Sequence, residues 1–200
     1  MNSELRAVAE QRLALEVLAI QSAGGALNEV TDQIFELLYS CSGTVFVTGS
    51  GTSGAVARRM AHLFSVSGTP SMFIQPSDAL HGTMGALRSG DVLVAISKGG
   101  ESDEINELAT RARARGVTVV GLTSVPESSL GRLADLIQVF PLVPGADPGE
   151  LIAMGSTLAH CAWGDSLAVA LMQRRGYSWA EVAFTHPFGA VGKKTELPED

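Results

Sequence analysis

Short apolar runs rich in β-branched residues alternate with helical stretches from residue 44 onward, and this alternation constrains the fold more than any other feature. The runs are continuously apolar, which indicates strands that are buried on both faces. Strands of this kind, separated by helices, form a parallel sheet. We therefore predict an α/β fold, a three-layer doubly wound sandwich with five parallel strands. The strands are predicted at residues 44–48, 71–74, 91–96, 118–122 and 136–140.

Helical periodicity accounts for most of the remaining chain. Apolar residues recur at helical spacing in two N-terminal stretches, which are separated by Gly24 and Gly25. Because each stretch has a single apolar stripe, we expect residues 1–40 to form two helices that pack on the core or on a partner subunit. Residues 41–192 are expected to form the ligand-binding domain, and residues 193–200 a polar, frayed tail. Long helices are predicted at residues 53–66, 103–115 and about 153–174.

Charge and hydropathy exclude several classes of function. The net charge of −7 argues against a nucleic-acid surface, which needs clustered lysine and arginine. No apolar run approaches the roughly 18 residues of a membrane span, and charges near the N-terminus are atypical of a signal peptide. We therefore expect a cytoplasmic protein with no membrane contact. Cys41 and Cys161 lie far apart in apolar surroundings and predict neither a disulfide framework nor a metal site.

Two loops rich in glycine and serine each follow a predicted strand and precede a helix. The first loop, residues 49–54, reads Gly-Ser-Gly-Thr-Ser-Gly, and the second, residues 97–102, reads Ser-Lys-Gly-Gly-Glu-Ser. Glycine lets the backbone approach a ligand closely, and the start of a helix offers free N–H donors to an anion. In a doubly wound sheet, loops on neighbouring strands meet at the carboxyl edge. Ser53, Ser97 and Ser102 are then expected to close on one phosphate, to which Lys98 adds a positive charge.

Two alternatives for these loops remain open at this point. The first loop also satisfies the dinucleotide fingerprint G-x-G-x-x-G, but the second strand closes on Gln75, where a nicotinamide enzyme would place an acidic residue. A second phosphate loop rich in hydroxyls is also unnecessary in a dinucleotide site. The other alternative is a pair of ordinary strand-to-helix turns, since serine and glycine favour helix N-caps.

The loop pair resembles the sugar isomerase (SIS) domain family. Gly-Thr-Pro at 68–70, Pro-Ser-Asp-Ala-Leu-His-Gly at 76–82 and His-Pro-Phe-Gly-Ala-Val-Gly at 186–192 are similar to its arabinose 5-phosphate isomerase branch. The resemblance covers about residues 40–193. It implies the five-stranded SIS fold, a phosphorylated sugar as ligand, no cofactor, and a homo-oligomer, dimer or tetramer, with sites near subunit interfaces.

The resemblance also assigns phosphate contacts, with some departures from the branch. The branch has a lysine where this chain has Thr52 and an asparagine where it has Lys98, so we hypothesise that Lys98 supplies the missing charge. A family glutamate aligns near Gly145, with Glu150 as the nearest acidic residue, and many relatives continue into a CBS pair beyond the point matched by residue 193. The residues expected to bind phosphate are Ser53, Thr52, Ser97, Lys98, Gly99, Ser102, Ser156 and Thr157.

Interconversion of an aldose and a ketose phosphate moves a proton between neighbouring carbons through an enediol, which needs a base and a proton donor near the carbonyl. We expect His186 and His81, which lie in loop motifs, to supply these groups, and the resemblance implies that Glu101 lines the catalytic pocket. Two alternatives remain open: a structural role for His186, and a role for Glu101 as a favourable charge at the start of a helix. His62 and His160 lie in predicted helices with apolar neighbours and are expected to be packed or partly buried. No histidine pair has metal-binding spacing, so no metal is expected. The sequence favours a phosphosugar isomerase, and a catalytically silent phosphosugar-binding or sensor domain is the alternative.

Overall fold

The computed structural model describes residues 1–194 and 196–199. The polar tail predicted at residues 193–200 includes Thr195 and Asp200, which lie outside the described residues.

Five parallel strands form one sheet in the order β2-β1-β3-β4-β5. Each strand begins and ends within one residue of its predicted bounds, because continuous apolar runs can be buried only between two layers of helices. The predicted fold class is confirmed. The strands are β1 (Val45–Gly49), β2 (Ser71–Phe73), β3 (Val92–Ile96), β4 (Thr118–Thr123) and β5 (Leu136–Val139).

Helices precede, connect and follow the strands. The three long helices predicted within the domain are present, each with bounds that differ from the prediction by two residues or fewer. The helices are α1 (Ser3–Gly25), α2 (Glu29–Ser40), α3 (Gly51–Val66), α4 (Pro76–Leu80), α5 (Asp103–Ala114), α6 (Ser129–Leu133), α7 (Gly155–Arg175), α8 (Trp179–Thr185) and α9 (Gly189–Gly192), with 3-10 turns at Thr83–Ala86 and Pro148–Glu150.

Alternate residues of the strands pack into two hydrophobic layers on opposite faces of the sheet. Val45 and Val47 of β1 pack in a layer with residues of α2, α3 and α7, including the fully buried Trp163. Phe46, between them in sequence, packs in the other layer with residues of α4 and α5. This arrangement is the three-layer sandwich, and it leaves the carboxyl ends of the strands facing one edge of the domain.

The N-terminal helix α1 contacts α7 mainly through small side chains. Ala19 and Ala23 are buried there, and the guanidinium of Arg12 donates a hydrogen bond of 2.8 Å to the carbonyl of Gly145. The larger apolar side chains of α1 face away from this contact, and Leu13, for example, is 63% exposed. The apolar stripe that the sequence predicts in α1 is therefore largely uncovered within a single chain.

None of the helices among the described residues is both long enough and apolar enough to cross a lipid bilayer.

Candidate functional site

The first loop joins β1 to α3 by a turn that only glycine fits. A Cβ atom on Gly49 would lie 2.7 Å from the backbone of Ser53, and one on Gly54 would lie 2.7 Å from the carbonyl oxygen of Gly49. These two glycines let the first turn of α3 close tightly on the end of β1. The side chain of Thr52 is exposed and that of Ser53 is partly exposed, so both hydroxyls lie at the carboxyl edge of the sheet.

The second loop follows β3 and is fixed by a hydrogen bond between two of its own residues. The hydroxyl of Ser97, a buried residue, accepts a hydrogen bond of 3.1 Å from the backbone N–H of Gly100. Gly100 has φ +69°, and a Cβ there would lie 1.9 Å from the hydroxyl oxygen of Ser128. The loop is therefore a rigid turn that presents its backbone, including the exposed Gly99, to the edge of the sheet.

The two loops lie side by side. Gly49 at the end of β1 is in register with Ile96 at the end of β3, and the hydroxyl of Ser50 donates a 3.2 Å hydrogen bond to the carboxylate of Glu104 in α5. Connections from these two strands leave in opposite directions, so the loops form the topological switch point of the sheet. Within the described chain, neither Ser50 nor Ser102 caps its helix with its own side chain. The N–H groups at the starts of α3 and α5 can therefore serve an anionic ligand.

The start of α7 borders the second loop. Asp147, which is 3% exposed, accepts hydrogen bonds from the backbone N–H groups of Met154, at 2.8 Å, and Ser156, at 3.0 Å. The hydroxyl of Thr157 donates to the carbonyl of Met154 at 2.6 Å. Ser156 and Thr157 thus lie in the first turn of α7, and Asp147 satisfies N–H groups that begin the helix.

Asp147 also binds the lysine of the second loop. The ammonium of Lys98 lies 2.7 Å from a carboxylate oxygen of Asp147 and 3.3 Å from the carbonyl oxygen of Glu150. Burial raises the pKa of Asp147, but hydrogen bonds from Lys98 and from the backbone N–H groups of Ser156 and Met154 outweigh it and lower the pKa to about 2. Glu150 has φ +58°, the only positive φ of a non-glycine residue in the described chain.

Two buried hydroxyls beside this ion pair lack a hydrogen-bond partner among the described residues. Ser124, which follows β4, and Ser156, at the start of α7, line the same small cavity as Asp147. Buried hydroxyl groups in proteins are usually satisfied, by ordered water or ligand where no protein group is available. Most residues that line the cavity are apolar, so these two hydroxyls and the Asp147 carboxylate are polar groups in a largely apolar pocket.

The carboxylate of Glu101 contacts α6. It accepts hydrogen bonds from the hydroxyl of Ser129, at 2.6 Å, and from its backbone N–H, at 2.9 Å. These bonds, the hydroxyl first, lower the pKa of Glu101. The acidic side chain bonded to the first loop is that of Glu104, one turn further along the chain, which the sequence analysis did not select. Glu104 lies within α5, whereas Glu101 precedes the helix, whose N-cap is Ser102, and the two carboxylates bond to different neighbours.

The two histidines predicted to take part in catalysis lie on different parts of the fold. His81 is exposed at the end of α4, which follows β2, the strand beside β1. His186 lies between α8 and α9, where its Nδ1 is 2.6 Å from the carbonyl oxygen of Val182. Because a carbonyl only accepts, Nδ1 carries the proton and Nε2 is the basic atom of the ring. In the described residues, no hydrogen bond joins His81, Glu101 and His186.

The other two histidines differ from each other. The prediction of a packed side chain is confirmed for His160, which is 1% exposed. It is wrong for His62, which is exposed because it lies on the outer face of α3. The described residues contain no group of three or more histidine, cysteine, aspartate or glutamate side chains arranged to hold a metal ion.

Known proteins are similar to this chain over most of its length. The arabinose 5-phosphate isomerase KdsD of Shigella flexneri is 40% identical over 192 residues, which cover 94% of this chain. The chain spans 58% of the length of that relative. The SIS domain model matches residues 38–170.

Solved structures superpose over most of the chain. A putative sugar-phosphate isomerase from Listeria monocytogenes has a TM-score of 0.89 and 32% identity, covering 94% of this chain and all of that one. The protein c3406 of Escherichia coli CFT073, solved in complex with arabinose 5-phosphate, has a TM-score of 0.88 and 29% identity with the same coverage. On its loops, its sheet and these matches, the chain belongs to the SIS domain family.

Proposed function

We propose that this protein is an aldose–ketose isomerase that acts on a phosphorylated sugar similar to arabinose 5-phosphate. The observation that carries the proposal is the adjacency of the two loops at the switch point, with Gly49 in register with Ile96. One loop alone would be an ordinary turn, but two adjacent helix starts with serine hydroxyls are suited to one phosphate. The names of the relatives support the same chemistry.

The phosphate is proposed to bind across both loops and the start of α7. Backbone N–H groups and hydroxyls supply most of the donors, because the loops are held by glycine and not by bulky side chains. Lys98 brings positive charge to this rim, where it is paired with Asp147. The residues proposed to line the phosphate site are Thr52, Ser53, Ser97, Lys98, Gly99, Ser102, Ser156 and Thr157.

The chemistry proposed is a proton transfer through an enediol. A base takes the proton from the carbon beside the carbonyl, a donor stabilises the enediolate oxygen, and the proton returns to the neighbouring carbon. Glu101, His81 and His186 remain the candidates from the sequence, and the bond from Ser50 adds Glu104 as a carboxylate at the loops. The reaction is redox-neutral, so no cofactor is needed.

The complete site is proposed to form in a homo-oligomer, a dimer or tetramer. The exposed apolar stripe of α1 supports this, and so do α8 and α9, which bury no residue in the single chain. Phe184 and Phe188, on either side of His186, are 85% and 88% exposed. Contact between two subunits at these side chains would place His186 near the two loops, either those of its own subunit or those of the neighbouring subunit.

A mixing experiment tests the shared site. His186→Ala and the double variant Ser53→Ala/Ser102→Ala are expected to be nearly inactive alone at substrate concentrations near the wild-type KM. Co-expressed subunits are expected to regain activity, because some sites then combine an intact His186 with an intact pair of loops. Light scattering on the wild-type protein is expected to give a dimer or tetramer. A monomer, or mixed subunits as inactive as the parents, would contradict the shared site.

We also propose a cytoplasmic protein, since sugar phosphates are charged metabolites and both cysteines are free thiols.

Activity is tested by incubating the protein with arabinose 5-phosphate and measuring ribulose 5-phosphate formed. Ser53→Ala and Ser102→Ala are expected to raise KM by about tenfold each, as loss of a charge-assisted hydrogen bond would. Ser166→Ala on α7, remote from both loops in sequence, is the matched control.

A catalytically silent binding domain is the second candidate, and one observation favours it. The carboxylate of Glu101 is engaged with Ser129 and not with the loops. Tight binding of a sugar phosphate without any turnover would select this candidate over the isomerase.

A further inference from the structure

The carboxylate of Asp147 joins parts of the site that are far apart in sequence. One oxygen accepts N–H bonds from Met154 and Ser156 at the start of α7, and the other lies 2.7 Å from the ammonium of Lys98. Met154, the residue that precedes α7, supplies no side-chain cap of its own. Asp147 therefore replaces the helix cap and at the same time anchors the second loop.

Lys98 is tied down at its backbone as well. Its carbonyl oxygen accepts hydrogen bonds of 2.9 Å from the N–H of Ser124 and from the hydroxyl of Thr123, both at the end of β4. Its ammonium reaches Asp147 and the carbonyl of Glu150. The residue thus connects the second loop to β4 on one side and to α7 on the other.

The two partners of this ion pair differ in exposure. The side chain of Asp147 is 3% exposed and that of Lys98 is 21% exposed. Loss of Lys98 would leave a buried, unpaired negative charge next to a site for a phosphate dianion. Loss of Asp147 would leave a lysine whose flexible stem can carry its charge to solvent or to the ligand. Removal of the Lys98 charge is therefore expected to weaken ligand binding more than removal of the Asp147 charge.

We propose that Asp147 is a positioning residue of the phosphate site, and that Lys98 acts there by cancelling the Asp147 carboxylate and not as a free cation for the phosphate. The pair holds the start of α7, with the hydroxyl of Ser156, against the second loop. This inference rests on the proposed function, because it assumes that the loops bind a phosphorylated sugar.

A double-mutant cycle tests the proposal. Lys98→Met, Asp147→Asn and the double variant are compared with the wild type for binding of arabinose 5-phosphate and of inorganic phosphate, by calorimetry. Lys98→Met is expected to weaken both ligands by about tenfold or more, because the unpaired carboxylate repels them. Asp147→Asn keeps an oxygen for the two N–H groups and is expected to bind as tightly as wild type or more tightly. The double variant is expected to return to within about threefold of the wild type.

Recovery of ligand binding in the double variant distinguishes this proposal from a direct contact between Lys98 and the phosphate. If the double variant binds as weakly as Lys98→Met, the ammonium contacts the phosphate directly and the proposal is wrong. Unchanged binding by Lys98→Met would also contradict it. Glu107→Gln, which breaks an exposed ion pair with Arg111 on α5, is the matched control and is expected to bind like the wild type.

Thermal denaturation of the same proteins separates this inference from the proposed function. Lys98→Met is expected to melt at a lower temperature, and the second substitution is expected to restore most of the loss. If the wild type binds neither ligand, the proposed function fails, while the melting temperatures still decide whether Lys98 serves to neutralise Asp147. Melting of the double variant no higher than that of Lys98→Met would overturn the pairing itself.

Discussion

Replacement of His160 by leucine is expected to make the protein markedly more resistant to mild acid. The ring of His160 is 1% exposed and lies edge-on to Phe140, with ring centroids 4.5 Å apart. Neither ring nitrogen has a hydrogen-bond partner in the described chain. Burial lowers the pKa of His160 to about 4, and the negative charge of Asp147 offsets only part of that effect.

The sign and size of the effect follow from proton linkage. The ordinary pKa of histidine is 6.5 and applies to the unfolded chain, whereas the folded protein keeps His160 neutral down to pH values near 4. Below about pH 6.5 the unfolded state therefore binds an extra proton, and stability falls as the pH falls toward 4. With these two pKa values, the free energy of unfolding drops by about 2 kcal/mol between pH 7.5 and pH 5.

Urea denaturation at pH 7.5 and pH 5 measures this drop. We expect the free energy of unfolding of His160→Leu to fall by about 2 kcal/mol less than that of the wild type over this interval. At pH 7.5 the variant is expected to be at least as stable as the wild type, since it also removes two unpartnered buried nitrogens. His62→Gln, on the exposed face of α3, is the control and is expected to keep the wild-type pH dependence. The reasoning is refuted if His160→Leu and the wild type lose stability equally.

Three further substitutions test the fold around the site. Gly100→Ala is expected to destabilise the protein by more than about 2 kcal/mol in thermal denaturation, because φ is +69° and the new Cβ would overlap the hydroxyl of Ser128; equal melting temperatures would contradict this. Asn28→Ala removes the capping box of α2 and is expected to cost about 1 kcal/mol in urea denaturation, whereas Asn28→Ser should retain most of it. Gln138→Leu leaves the buried hydroxyl of Thr31 without its 2.7 Å partner and is expected to cost about 1–3 kcal/mol, and a variant as stable as wild type would show that this bond is dispensable.

The layers of the fold and the positions of its strands follow from local signals. Strands such as Val92–Ile96 are buried on both faces, and a continuous apolar run has no other stable place in a small domain. The meeting of the two loops followed from the parallel topology, because the carboxyl ends of neighbouring strands lie at one edge.

The pairings across the site could not be predicted from sequence. Lys98 reaches Asp147 only because the segment after β5 returns over the second loop. The spacing of residues in the sequence does not predict the course of such an irregular segment. Similarly, Glu101 and Ser129 are brought together by the turn between β4 and α6. The helical spacing of apolar residues correctly predicted that α1 is a helix. Spacing does not show which surface covers those residues, and the contact with α7 is made by the small side chain of Ala19. The division at residue 40 and the catalytic roles stay predictions.

Proton exchange at the substrate tests isomerisation most directly. The protein is incubated in heavy water with arabinose 5-phosphate, and with a panel of other pentose and hexose phosphates, and the carbon beside the carbonyl is followed by nuclear magnetic resonance. An isomerase that works through an enediol is expected to place deuterium at that carbon in at least one sugar phosphate, at a rate that falls in the Ser102→Ala variant. Absence of exchange with every sugar phosphate, while the same protein binds one of them, would contradict isomerisation and leave a binding domain.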